Sequence, residues 1–230
     1  MKAVKTLSVP ISEAFEQEAQ LVDAIKAGEL DHALLIWQPK GKTLVLPASK
    51  RWQTTPALSK KLDALGWQLL SRRTGGAPVP QTPGVLNVSH IYLVSDSYTI
   101  TQGYEDLCAA LTAFFAQYQL TADTHATPGA YCDGDYNLNI NGQKIVGTAQ
   151  RVSRTKTKNK MVLAQACILL EGELSELIAP VNLCNQHNQN PDRIVADAHT
   201  TLVKQLSVMP TLDDLCDTLA QTFEKDICAG

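Results

Sequence analysis

The chain has 230 residues, 44% hydrophobic and 19% charged, with a formal net charge of −3. That length supports a sizeable hydrophobic core, and the composition is that of an ordinary globular chain, neither disordered nor membrane-like. No apolar run approaches the ~20 residues needed to cross a bilayer, and the acidic balance argues against a general affinity for nucleic acid or an anionic membrane.

Six cysteines, Cys108, Cys132, Cys167, Cys184, Cys216 and Cys228, occur without CxxC pairs or metal-ligand spacing. The N-terminus has no apolar h-region and no small-residue cleavage site, so the expected location is cytoplasmic and most thiols are expected to be reduced. Cys108, Cys167 and Cys216 fall in apolar patterns and are predicted to be small core residues.

Taken in order, residues 12–26 predict a helix capped by Ser12, with Glu13 and Glu16 near its positive end. Phe15, Ala19, Val22 and Ile25 recur at helical spacing, and Gly28 ends the helix. Short strands are predicted at 33–37 and 43–46, joined by a Pro39-Lys40-Gly41 turn. Residues 56–65 read as a helix stopped by Gly66, and 67–70 as a strand leading into RRTGG. The stretch 73–83 carries too much Gly and Pro for regular structure. A strand resumes at 85–93, and an amphipathic helix spans 104–120 with Leu107, Leu111, Phe114 and Tyr118 on one side.

Next comes the clearest hairpin signal. Tyr136, Leu138 and Ile140 alternate with Asn137 and Asn139, the pattern of a half-buried strand with its asparagines outward. Asn141-Gly142 suits a type I′ turn. The return strand, Lys144-Ile145-Val146, is interrupted by Gly147, where something approaches the backbone closely. Residues 151–160, RVSRTKTKNK, read as a solvated basic loop, with a docking site for an acidic protein partner as the alternative. A strand at 161–170 and a short helix at 174–178, ended by Pro180, follow. The tail beyond 191 predicts two helical pieces divided by Met209-Pro210, the second capped by Thr211. The sum is one α+β domain over 1–230: short, mostly antiparallel strands with helices against them.

Three features bear on chemistry. The glycines of RRTGG let backbone N–H groups approach a phosphate or carboxyl, with Arg73 adding charge; a tight turn with a surface arginine is the plainer reading. Cys132 lies in a loop with Gly129, Asp133, Gly134 and Asp135, and would be a nucleophile if positive charge stood beside it. Lys144, on the paired strand, is a candidate source of that charge, and an ordinary solvent-facing lysine is the alternative. His32, His90, His125, His187 and His199 show no ligand spacing and read as surface or core residues.

Together, RRTGGAPVPQTPGVLNVS and the later INGQKIVGTAQR resemble the biotin/lipoate protein ligase and octanoyltransferase superfamily. The resemblance covers almost the whole chain, including VLAQACILLEGELSEL and the final helix. It implies a catalytic domain of the class II aminoacyl-tRNA synthetase/biotin synthetase-like fold. The segment YCDGDYNLNI is most similar to the cysteine-dependent octanoyltransferases that move octanoyl from glycine cleavage H protein to other lipoyl domains.

The resemblance implies that Cys132 forms an acyl thioester while Lys144 stabilises the thiolate and the developing oxyanion. It places Arg73, Thr74, Gly75, Gly76, Gly84, Asn87, Gly147, Thr148 and Ala149 around the acyl group. No cofactor is then required. The implied partners are lipoyl-domain proteins, namely glycine cleavage H protein and 2-oxoacid dehydrogenase acyltransferase subunits, with acyl carrier protein as a further donor. The alternatives are an ATP- and Mg-dependent ligase working through an acyl-adenylate, and a non-catalytic relative that binds lipoyl domains. Two departures stand out. The usual His-Gly pair is replaced by Gln165-Ala166, and Pro78, Pro80 and Gln81 replace aromatic or acidic residues after the Gly-Gly turn.

Overall fold

The structure, a computed structural model, describes residues 1–47, 49–72, 75–155 and 159–229, with side chains to residue 225. The chain opens with β1 (Lys2–Val9), α1 (Ile11–Ala27), β2 (His32–Pro39), β3 (Thr43–Leu46), α2 (Pro56–Asp63), β4 (Gln68–Ser71), β5 (Val79–Gln81) and β6 (Val85–Val94). It continues with α3 (Ile100–Ala116), β7 (Asp123–Thr124), β8 (Leu138–Ile140), β9 (Gln143–Arg154), β10 (Lys160–Leu169), α4 (Leu174–His187), α5 (Leu202–Gln205) and α6 (Leu212–Ala229).

Two sheets result, mixed and mostly antiparallel as expected. The larger has the order β1-β2-β6-β10-β9-β8-β7, parallel only between β1 and β2. The smaller has the order β4-β3-β5. One face of the large sheet packs Leu34, Val88, Val146 and Ile168 against Leu111, Phe114 and Phe115 of α3 and Leu219 and Phe223 of α6. Burying each such side chain contributes about 1.5–3 kcal/mol. Its other face is covered by α1 and by the small sheet, and the site forms there.

Local chemistry explains most boundaries. Thr99 and Gln102 form a capping box, so α3 starts four residues before the apolar periodicity does. Thr55 caps α2, and Gly28 closes α1 with φ 77°. Thr211 accepts from the Asp214 N–H at 3.1 Å, capping α6 as predicted.

Several expectations are corrected. Ser12 does not cap α1, because Pro10 holds the cap position and its preset φ starts the helix earlier. The strands expected at 33–37 and 43–46 form, and the turn between them leads from the large sheet, which holds β2, to the small one, which holds β3. The Gly/Pro tract contains β5, and Pro80 is tolerated there because β5 is an edge strand. Pro180 lies inside α4, which is held by the buried Leu177, Ile178, Val181 and Cys184 on either side. The basic stretch is no simple loop: β9 runs to Arg154 and β10 begins at Lys160, and these two residues are paired. Gly147 does not interrupt β9. Asn137 and Asn139 are buried rather than outward, at 2% and 0% exposure, because a loop folds over the hairpin and needs their amides.

Candidate active site

The loop between β7 and β8 carries Cys132, and buried polar side chains hold it. Asn139 Nδ2 donates to the His125 carbonyl at 2.9 Å, while Thr127 Oγ1 donates to Asn139 Oδ1 at 2.5 Å. The Thr127 N–H in turn donates to the Asp133 carboxylate. Asn137 Nδ2 donates to the Cys132 carbonyl at 3.2 Å. Within this frame Cys132 has φ 50°, a left-handed conformation unusual for a residue with a side chain and commonest where function requires it.

Lys144 enters from β9 and is fully buried. Its Nζ donates to the Tyr131 carbonyl at 2.5 Å and to the Cys132 carbonyl at 3.0 Å, and stands 4.5 Å from the Tyr131 ring centroid. An ammonium has three donors, so one remains for an oxygen brought in by substrate. A Cβ on Gly147 would lie 3.2 Å from both Cε and Nζ of Lys144. The close approach expected at Gly147 is therefore made by the lysine itself. Burial lowers the Lys144 pKa, opposed chiefly by the charges of Cys132 and Cys167.

Behind Tyr131, the His199 ring stacks at 4.9 Å and 16°, and its Nε2 accepts from the Tyr131 N–H at 3.3 Å. The Nδ1 position, 3.0 Å from the Val195 carbonyl, fixes the proton there. Burial pushes His199 down to about 4, so the ring is neutral.

A narrow slot runs from Cys132 across the large sheet. Trp37, Val45 and Val79 form apolar walls, with Gly147, Thr148, Ala149, Ala166 and Cys167 along the strands. Asn87 and Gln81 close upon one another through two side-chain hydrogen bonds, of 2.8 and 2.9 Å, presenting little free polarity. Arg72 borders the slot and donates through Nη2 to the carbonyls of Gly75 at 2.9 Å and Ala77 at 3.2 Å. A Cβ on Gly76 would stand 3.0 Å from Arg72 Nη2 and 3.5 Å from Cys132 Sγ, which puts the guanidinium on the sulfur side of the thiol. Burial lowers the Arg72 pKa and the Cys132 charge opposes it.

The structure thus brings together Cys132, Lys144, Gly76, Asn87, Gly147, Thr148 and Ala149. Gly75 contributes a carbonyl to Arg72 and is not itself part of the slot wall. Gly84 lies elsewhere, with its missing side chain filled by the Glu171 carbonyl, 2.2 Å from where a Cβ would be. Arg73 and Thr74 lie outside the described residues. Sequence reasoning missed Arg72, Tyr131, His199 and Trp37. Cys167 is a buried core residue as expected, and its thiol also borders the slot and receives a Gln81 amide at 3.6 Å. Only the Arg-Arg and Tyr-Cys neighbours hinted at the first two. Among the described residues no cluster is fit to hold a metal, and no helix is long and apolar enough to cross a membrane.

A thiol bordering an apolar slot, with a buried lysine bonded to the same residue's carbonyl, lies on a mixed sheet backed by helices. Residues 10–224 match the lipoyl protein ligase A/B catalytic domain, and the chain belongs to that family. An octanoyl-[GcvH]:protein N-octanoyltransferase of Geobacillus kaustophilus is 32% identical over 60% of this chain and 50% of its own length. The protein of that name from Oceanobacillus iheyensis is 30% identical over 71% of this chain and 60% of its own. The chain thus aligns with little more than half the length of these relatives. In fold it is similar to a lipoate-protein ligase A bound with ATP, with a TM-score of 0.72 at 16% identity over 99% of this chain and 84% of that one. A structure from an archaeal lipoylation system, a bipartite lipoate protein ligase and its E2 lipoyl domain from Thermoplasma acidophilum, gives 0.65 at 16% over 99% and 84%.

Proposed function

We propose that the chain is a cysteine acyltransferase of protein lipoylation, moving an octanoyl or lipoyl group through a Cys132 thioester onto a lipoyl-domain lysine. The observation that carries this reading is the Cys132 thiol at the mouth of the slot, with Lys144 bonded to the same residue's carbonyl. The names of its relatives supply the donor, an octanoylated glycine cleavage H protein.

The Cys132 thiolate attacks the carbonyl of the octanoyl-lysine amide, forming a C–S bond. The oxyanion that develops meets the remaining Lys144 N–H. Collapse breaks the C–N bond, and the donor lysine leaves as an amine carrying the proton given up by the thiol. The acceptor amine then attacks the thioester, forms the new amide and returns the thiol. The acyl chain lies between Trp37, Val45 and Val79, and no nucleotide enters either step.

The test is intact-mass analysis after mixing with octanoylated H protein. One octanoyl adduct is expected, removed by hydroxylamine and absent from Cys132→Ala. Full transfer by Cys132→Ala, or octanoate-dependent pyrophosphate release from ATP, sinks this reading in favour of a ligase.

A further inference from the structure

The slot does not end in apolar side chains. Antiparallel register places Gly147, Cys167 and Asn87 in one row beside Cys132, and Ala149, Gln165 and Ser89 in the next row on that face, about 7 Å on. Over this second row α1 lowers Glu18. Ser89 Oγ donates to Glu18 Oε2 at 2.5 Å and Gln165 Nε2 donates to the same oxygen at 2.7 Å. The bridge ties α1 to two strands across the path of the chain. Burial raises the Glu18 pKa, opposed by both hydrogen bonds and by the Arg72 charge.

Beyond the bridge the space reopens. The slot itself is about 50 Å³, whereas a cavity of about 400 Å³ lies on the other side, between α1 and the strands β9 and β10. Phe15, Arg72 and Gln165 border both, so the two share a wall. That far space is an open groove with Val22, Met161 and Leu163 at its floor and the exposed Asp23, Lys26 and Arg151 along its rim. To reach it, an acyl chain must part the bridge and leave a half-buried carboxyl, a buried hydroxyl and a half-buried amide without partners, a cost that methylene contacts offset only in part.

We propose that the hydrogen-bonded bridge of Glu18, Ser89 and Gln165 is the end wall of the acyl slot and sets the longest acyl chain this site takes. The proposal rests on the acyltransferase reading above, and names which acyl groups that site admits. Glu18 is a specificity-determining residue acting on the chain's far end, remote from the reacting carbonyl.

The test offers the full chain hexanoyl, octanoyl, dodecanoyl and tetradecanoyl N-acetylcysteamine thioesters, and follows the Cys132 adduct by mass. Wild type is expected to load octanoyl and to discriminate against dodecanoyl. Glu18→Ala opens the wall and raises the dodecanoyl-to-octanoyl ratio by about tenfold or more. Glu18→Gln, whose amide oxygen can still accept both hydrogen bonds, keeps the wild-type ratio. Gln165→Ala removes the other half of the bridge and shifts the ratio as Glu18→Ala does, which covers the case of a poorly folded Glu18→Ala. If these variants load octanoyl and the ratio does not move, the end wall is wrong and the acyltransferase reading survives. If wild type forms no Cys132 adduct with any thioester, both fall together.

Discussion

Lys144 donates to the main-chain carbonyl of Cys132, the residue whose thiol faces the slot. Nζ therefore holds the Cys132 backbone, while Arg72 and Gly76 lie on the sulfur side. Lys144→Met leaves the Tyr131 carbonyl without its donor, at about 1–3 kcal/mol, while the Cys132 carbonyl keeps Asn137, and it also removes a buried charge that desolvation disfavours. These effects oppose, so the melting temperature is expected to move little while octanoyl transfer falls about 10²–10³-fold. Paired thermal melts and single-turnover transfer read the two separately. A variant that keeps more than half the wild-type transfer rate removes Lys144 from the chemistry.

Gly147→Ala tests the same contact from the opposite side. The added methyl would sit 3.2 Å from Lys144 Cε and Nζ, closer than ordinary contact, so the fully buried lysine must shift by a few tenths of an ångström. The expected cost is about 1–3 kcal/mol of stability from overpacking. Displacing Nζ from the Cys132 carbonyl should lower transfer about tenfold or more, as small misplacements of catalytic groups do. Denaturant unfolding together with thioester formation kinetics measures both. A stable variant with wild-type kinetics would mean the lysine position is not critical.

Much of the frame was legible in the sequence because it rests on local rules. The Asn141-Gly142 turn has φ 53° and 75°, as its residues demanded, and Gly28 and Thr211 end and begin their helices as read. Cys132 and Lys144 stood out from their loop and hairpin before the family resemblance gave them roles, and the fold brings them together. What was illegible depended on what packs over a strand. Alternation in the hairpin placed Asn137 and Asn139 outward, yet the Cys132 loop covers them and spends their amides on carbonyls. Nothing in the sequence marked Glu18, because only register brings Ser89 and Gln165 beneath it. Arg73 was named and Arg72 was not, since no periodicity separates adjacent arginines at a strand end.

Thiol labelling distinguishes Cys132 from the remaining cysteines with described side chains. Cys108, Cys167, Cys184 and Cys216 are buried, and burial pushes each up to about 11. At neutral pH they stay protonated and shielded, and the thiolate is the reactive form. In a Cys228→Ser background, iodoacetamide at pH 7.5 is expected to modify Cys132 alone, by peptide mapping. Octanoyl loading should block that modification. Cys167 is the informative control, because it borders the same slot, and its labelling ahead of Cys132 would reassign the nucleophile.

His199 makes stability depend on pH. Its folded pKa of about 4 lies below the ordinary histidine value of 6.5, because burial and then the Lys144 charge disfavour the imidazolium. As pH falls through 6.5 the unfolded chain takes up the proton first, so the contribution of neutral His199 is whole above 6.5 and is lost progressively down to 4. The largest loss is on the order of 3 kcal/mol, from the linkage between pKa and stability. His90, pushed to about 3 by burial and His32, adds a slope of the same sign that continues lower. His199→Gln can still accept from the Tyr131 N–H but cannot be protonated in this range. It should therefore be less stable than wild type at pH 7, through loss of the Val195 contact, yet show a shallower fall between pH 6.5 and 4. Urea midpoints across that range decide the matter, since equal slopes for the two proteins would mean that His199 is protonated in the folded state.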